Sequence, residues 1–225
     1  DIIFNRIIGR LKDLSLDGDG MIKPTIENLK MIGRVQVELG SMVDNPLYID
    51  RVQGLKQVIA QVNETQTKYY EDTFKDFTIP PSIKQIEKIT WDNTITQLAG
   101  SGVDTNVVNE AVAIVEEHIR DGSSFTDLSE QLKTSILGNA KVDSKLIGYS
   151  KQVINDTLSS FSRGYHATVT RDLDLEWFMY IGSLKGTSRP FCVALVHKKY
   201  VHKSELGKIA SGNIDGTQVS REGLF

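Results

Sequence analysis

The stretch LEWFMYIGS, residues 175–183, is where the character of this sequence changes. It is a nearly continuous aromatic and aliphatic run that ends close to Gly182, a composition typical of a short strand buried on both faces. The residues before it instead repeat apolar side chains at helical spacing. The sequence therefore predicts a mainly α protein with a small C-terminal α+β module, in which long helices precede a short β-hairpin or small sheet.

The apolar spacing over residues 1–76 predicts an N-terminal helical docking region. Thr25 is placed to cap its second helix, and the third helix is the most regular. The apolar positions of that third helix keep a three-four spacing, as in a coiled-coil seam: Val52, Leu55, Ile59, Val62 and Tyr69. Such a seam packs against another helix of the same chain or docks on another subunit. The first alternative is favoured because most apolar stripes belong to a core.

Two adjacent prolines interrupt the helical pattern in FTIPP, residues 77–81. Proline cannot continue a helix and biases the preceding residue toward extended conformation, so this segment is the predicted linker between domains. The second predicted domain covers 82–225, with helices over 82–171 and the α+β module over 172–225. Within 82–171, GSGVD (100–104) is expected to separate two helices, and Ser124 to cap a third.

Composition limits the class of protein. No apolar run approaches the roughly 18 residues that a membrane-spanning helix needs, so no membrane is expected. The single cysteine excludes an internal disulfide. The chain starts at Asp1 without an initiator Met, which predicts a processed product or part of something longer. The sequence contains no Walker loop, dinucleotide fingerprint, HExxH or nucleophile elbow, and this argues against a conventional enzyme.

The window 185–208 is the one basic patch, with six basic residues and a single acidic one. Its lysines are candidates for contact with DNA phosphates or an acidic protein surface, the alternative being an ordinary solvated surface. They are Lys185, Lys198, Lys199, Lys203 and Lys208.

The stretch TSRPFCVAL, residues 187–195, contains the only cysteine, and two histidines follow it. Thr187 or Ser188 is predicted to cap a short helix whose first turn holds Pro190. Cys192, His197 and His202 allow three interpretations. They are a partial zinc site lacking a fourth ligand, a thiol catalytic group, or a buried small side chain beside exposed histidines.

Four segments together resemble the Mu F-like minor head, or head morphogenesis, proteins of tailed bacteriophages. They are FSRGYH (161–166), WFMYIGS (177–183), TSRPFC (187–192) and KKYVHKSEL (198–206). The resemblance covers about residues 140–225 in motif detail and the earlier helices only in general layout. The residues that carry it are Trp177, Tyr180, Gly182, Thr187, Arg189, Pro190, Phe191 and Cys192.

The resemblance implies a structural minor head protein, not an enzyme, that docks at or near the portal inside the capsid. It implies a location in the virion head near the portal vertex, after assembly in the host cytoplasm, and a role in head assembly and in DNA packaging or ejection. The implied partners are the portal protein, capsid interior proteins and packaged double-stranded DNA. Relatives often continue into a segment with further Cys and His residues, so a zinc ion at Cys192 would need ligands beyond Phe225. The alternative is an effector or enzyme domain that uses Cys192, His197 and His202.

Overall fold

The computed structural model describes residues 2–214, and this part of the chain is mainly α-helical with a small antiparallel sheet near its C-terminal end. The predicted fold class is confirmed. The chain divides into two compact units, Asp1–Tyr165 and His166–Phe225, which we call the helical unit and the C-terminal unit. The elements are α1 (Ile2–Leu11), α2 (Ile26–Gly40), α3 (Pro46–Thr73), α4 (Ser82–Ala99), α5 (Ser101–Val103), α6 (Asn109–Asp121), α7 (Phe125–Leu137), α8 (Lys145–Asp172), β1 (Trp177–Met179), α9 (Pro190–Lys198), β2 (Tyr200–His202) and α10 (Leu206–Ala210).

The main core of the helical unit lies among α1, α2, α6 and α7, which turn their apolar stripes toward one another. The predicted caps are confirmed, since Thr25 Oγ1 accepts from the Asn28 amide at 3.2 Å and Ser124 Oγ from the Asp127 amide at 3.0 Å. Each bond satisfies one backbone donor that the first helical turn leaves free. The largest fully buried side chains of this core are Ile7, Leu11, Ile22, Leu39, Ile119, Leu128 and Leu132.

A second, smaller core joins α3, α4 and α8. Val52, Leu98 and Val153 come from these three helices and pack together. The Tyr48 hydroxyl donates to the Leu98 carbonyl, so the start of α3 is also tied to the end of α4. The seam of α3 therefore finds its partner within the chain at Val52.

The proline segment 77–81 forms the turn between α3 and α4 inside the helical unit. Phe77 stacks on Tyr70, with ring centroids 5.5 Å apart, and Pro80 is buried. The Pro80 carbonyl accepts from the Ile83 amide at 3.0 Å, which starts α4. Because this segment packs into the unit, the division of the chain falls between Tyr165 and His166 and not at 77–81.

GSGVD separates two helices as predicted, but the break is confined to Gly100. The backbone bends at Gly100 (φ −143°, ψ −142°) and is helical again from Ser101, with a π-helical stretch over Asp104–Val108 that leads into α6. Gly102 allows a close approach, since a Cβ there would lie 2.6 Å from Gln97 Cα. Gly102 therefore lets the chain pack closely against α4, and it lies within a helical segment.

In the described part of the C-terminal unit, the sheet has two strands, β1 and β2, with α9 between them in sequence. Trp177 pairs with His202, Phe178 with Val201, and Met179 with Tyr200. The two short strands and the helix were all predicted. Burial of the 175–183 run on both faces was predicted too and is wrong: Trp177 is 63% exposed and Ile181 is 83% exposed.

Only one face of the sheet is covered in the described part of the unit, where Val201 is buried and Phe178 half-buried. Side chains alternate along a strand, so the other face displays Trp177 and Met179. An uninterrupted apolar run does not distinguish this arrangement from a strand covered on both sides, which explains the error.

Candidate functional site

The residues of the family motif lie in β1, in the turn after it and at the start of α9. Trp177 is in β1 and meets the His202 ring edge-to-face, with centroids 5.0 Å apart. Tyr180 follows the strand, and its amide donates to the Lys199 carbonyl at 2.7 Å, extending the pairing with the chain that enters β2. The motif therefore builds one local unit of strand, turn, helix and strand.

Gly182 is a position where the chain passes close to other groups. A Cβ there would lie 2.8 Å from Tyr180 Cε1 and 3.3 Å from Val196 Cγ2. The glycine lets the backbone run against the Tyr180 ring and α9 after β1. This gives a packing reason for the Gly that ends the aromatic run.

The turn before α9 does not have the capping residue that the sequence predicted. Neither Thr187 nor Ser188 caps the helix, because the residue at the N-cap is Arg189, whose side chain makes no capping bond. Ser188 Oγ instead accepts from the Lys185 amide at 2.7 Å and stabilises the turn itself. Pro190 is the first helical residue, as predicted, and Phe191 and Cys192 are half-buried behind it.

The described residues do not bring Cys192, His197 and His202 into a metal site. Among residues 2–214 no group of three or more His, Cys, Asp or Glu side chains is arranged to hold an ion. His197 is exposed near the end of α9, and His202 Nδ1 lies 2.8 Å from Ser204 Oγ. The predicted three-residue cluster is therefore not formed by these side chains.

Lys198 and Lys203, both predicted basic contacts, form ion pairs within the C-terminal unit. Lys198 Nζ lies 2.7 Å from Glu205 Oε1, and Lys203 Nζ lies 2.8 Å from Asp174 Oδ1. The hydrogen bond from Lys203 lowers the pKa of Asp174, and its charge lowers it further. These pairs reduce the positive charge that the patch presents to a partner.

The side chains of Lys185, Lys199 and Lys208 in the same patch are exposed. Lys199 ends α9 with φ +61°, a left-handed conformation that turns the chain into β2. Its Nζ lies 5.5 Å from the centroid of the Tyr200 ring, within range of a cation–π contact. Lys199 thus places a cation beside an exposed aromatic ring.

The docking seam predicted on α3 is only partly a surface. Val52 and Ile59 are buried, Leu55 and Val62 are half-buried, and Tyr69 is 60% exposed. The buried residue at this end of α3 is Tyr70, which lies 18 residues after Val52. Eighteen residues make five full turns of a straight α-helix, so Val52 and Tyr70 face the same way. The predicted seam assumed a 3.5-residue repeat, and Tyr69 was placed on it for that reason.

Two acidic residues organise this unit, and the sequence-based prediction did not include them. Glu205 pairs with Lys198 and accepts from the His202 amide at 3.0 Å, while Asp174 accepts from Lys203. His202 and Glu205 form a capping box, and their three-residue spacing is a signal that the sequence does carry. Asp174 has no comparable signal, since its partner is 29 residues away.

Comparison of the chain with protein-family models, with curated proteins and with solved structures gave no match. Among the helices of residues 2–214, none combines the length and the apolar character that crossing a membrane requires.

Proposed function

We propose that this chain is a structural minor head protein of a tailed bacteriophage that docks at or near the portal inside the capsid. In this role it acts in head assembly and in DNA packaging or ejection, and it is not an enzyme. It would be made in the host cytoplasm and carried in the virion head near the portal vertex.

The observation that carries the proposal is the way the resembling segments fold together. WFMYIGS contains β1, TSRPFC leads into α9, and KKYVHKSEL contains β2, so three segments that are separate in sequence make one structural module. This is the order of elements that the resemblance implies: an aromatic strand with a Gly, a turn, and a second short strand after a helix-rich region. The proposal rests on this agreement between the motifs and local structure.

The helical unit offers a docking position for the portal or for capsid interior proteins. Tyr69 is the one residue of the predicted seam that is largely exposed, and it lies near the end of a 28-residue helix. Exposed tyrosines are enriched at protein interfaces because a large apolar ring and a hydroxyl are presented together. We assign the docking contact to this end of α3.

Electron cryomicroscopy of the phage particle that carries this chain tests the proposal. We expect density for the chain in a ring or cluster at the portal vertex, and expect Tyr69→Ala to lower its copy number in purified heads, measured by quantitative mass spectrometry. Ile89→Ala is the matched control, since Ile89 lies on α4 and is 59% exposed, against 60% for Tyr69. Absence of the chain from purified particles would overturn the proposal.

A further inference from the structure

The exposed face of the β1–β2 sheet has no partner in the described part of the C-terminal unit, and its composition is specific. The register places Trp177 opposite His202 and Met179 opposite Tyr200, with all four side chains on the same face. Trp177 is 63% exposed, Met179 52% and Tyr200 53%. Two large aromatic rings are thus presented to solvent on adjacent strands.

The two rings have a spacing that suits stacked bases. Trp177 and Tyr200 are diagonal neighbours across the antiparallel pair, which places them about 7–8 Å apart. Sheet modules that bind single-stranded nucleic acid stack two or three splayed bases on exposed aromatic side chains of this kind. Any base can serve, because every base has a flat π face.

The charge around this face is complementary to phosphate. None of the four outward-facing positions is acidic. Glu176 directly precedes Trp177, so the alternation of side chains along a strand assigns it to the opposite face of the sheet. Lys199 lies beside the Tyr200 ring. Residues 166–214 carry seven Lys and Arg against four Asp and Glu, an excess of three positive charges. Stacked bases and neutralised phosphates are the two elements of single-strand binding.

We propose that the Trp177–Tyr200 face binds single-stranded nucleic acid by base stacking, with Lys199 contacting the adjacent phosphate backbone. Duplex DNA is a poorer ligand for this face, because its bases are already stacked and present only their edges. A protein partner is also less suited, since lysine is depleted where aromatic residues form protein interfaces. The inference goes beyond the minor head role, and it concerns the isolated chain, so its failure would leave the particle experiment unaffected.

Fluorescence anisotropy of the full chain with labelled oligonucleotides provides the test. The probes are oligo(dT) and oligo(U) of about 12 nucleotides, within the usual site size of such surfaces, and a duplex of the same length. We expect saturable binding of one or both single strands and weaker binding of the duplex. The two single-stranded probes distinguish DNA from RNA, and a preference for either supports the proposal. No binding of either at low ionic strength would overturn it.

Variants locate the binding face. Trp177→Ala and Tyr200→Ala should each weaken single-strand binding by about 5-fold or more, the effect of removing one stacking ring. Ile89→Ala is the matched control, since Ile89 is 59% exposed but lies in the helical unit, and it should leave affinity within about 2-fold. Lys199→Ala should reduce the dependence of affinity on salt. Unchanged binding in both aromatic variants would overturn the assignment.

A fluorescence measurement tests stacking on Trp177 without removing either of the two aromatic rings. The sequence has two tryptophans, so Trp91→Phe leaves Trp177 as the only one. Stacking of a base on Trp177 should quench its fluorescence saturably, with the same midpoint as the anisotropy titration. Binding without quenching would contradict stacking. Self-association of the chain that Trp177→Ala abolishes, with no nucleic-acid binding, would show that a second copy covers this face.

Discussion

The hydroxyl groups of Thr67 and Tyr165 lie 2.8 Å apart in the interior of the helical unit, joining α3 to α8 across 98 positions of sequence. Tyr165 is fully buried and Thr67 is 9% exposed. The Tyr165 ring also stacks on Tyr70, with centroids 6.0 Å apart. A polar contact is therefore enclosed by aromatic packing where the two longest helices meet.

Removing this hydroxyl contact should destabilise the protein. Tyr165→Phe keeps the ring but removes the phenolic oxygen, so the buried Thr67 hydroxyl loses this partner, at a cost of about 1–2 kcal/mol. Thr67→Val should cost a similar amount. The free energy of unfolding, measured by urea titration and circular dichroism, gives both values.

A double variant and a control at an exposed tyrosine test whether the loss of stability comes from the contact between the two hydroxyls. Thr67→Val combined with Tyr165→Phe should be less destabilising than the sum of the single changes, because neither polar group is then left without its partner. Tyr69→Phe, on the exposed neighbour, should change the free energy of unfolding by less than about 0.5 kcal/mol. Strict additivity of the two core substitutions would show that the hydroxyls do not interact.

The helical unit should lose stability in alkali. Burial raises the pKa values of Tyr48, Tyr70, Tyr149 and Tyr165 above 10.0 in the folded state. The folded chain therefore holds these protons more tightly than the unfolded chain does. Stability is fully present below the unfolded pKa near 10 and is lost as pH rises toward the higher folded values.

The unfolding free energy measured from pH 8 to 11 in Tyr165→Phe should fall less steeply with pH than it does in the wild type, since one buried phenol is absent. The comparison between variants removes the contribution of lysines, which they share. Identical slopes would mean that Tyr165 ionises equally readily in both states.

The sequence indicated the helices because apolar spacing reports directly which face of a helix is buried. Thr25 and Ser124 were equally predictable, since capping depends on residues within one helical turn. The errors arose where the outcome depends on distant packing. Gly102 resembles a helix breaker until Gln97 and Tyr149 are known to lie against it. Whether a sheet face is buried depends on which residues meet after folding. The same is true of the Asp174–Lys203 ion pair.

Gly102 should be one of the least replaceable residues of the helical unit. In Gly102→Ala the new methyl group would meet the Gln97 backbone and the Tyr149 hydroxyl, and backbone atoms cannot move aside cheaply. We expect a loss of about 1–3 kcal/mol in the free energy of unfolding. Gly33→Ala is the matched control, because Gly33 lies within α2 with no atom within 4 Å of its missing Cβ. It should raise stability by about 0.5–1 kcal/mol through helix propensity. Equal effects of the two substitutions would contradict the close approach at Gly102.

The final prediction concerns the carboxylate that holds β2 and α9 together. The hydrogen bond from Lys198 is the main cause that lowers the pKa of Glu205, and the His202 amide lowers it further. The stabilisation is therefore present above the unfolded pKa and is lost as pH falls through the lower, folded value. The His202 amide resonance, followed by NMR, should shift with a midpoint below 4.5, the ordinary value for Glu. Glu205→Gln should abolish that step, whereas Asp174→Asn, which breaks the other ion pair, should preserve it. A midpoint at or above the ordinary value would mean that Glu205 gains nothing from Lys198 in solution.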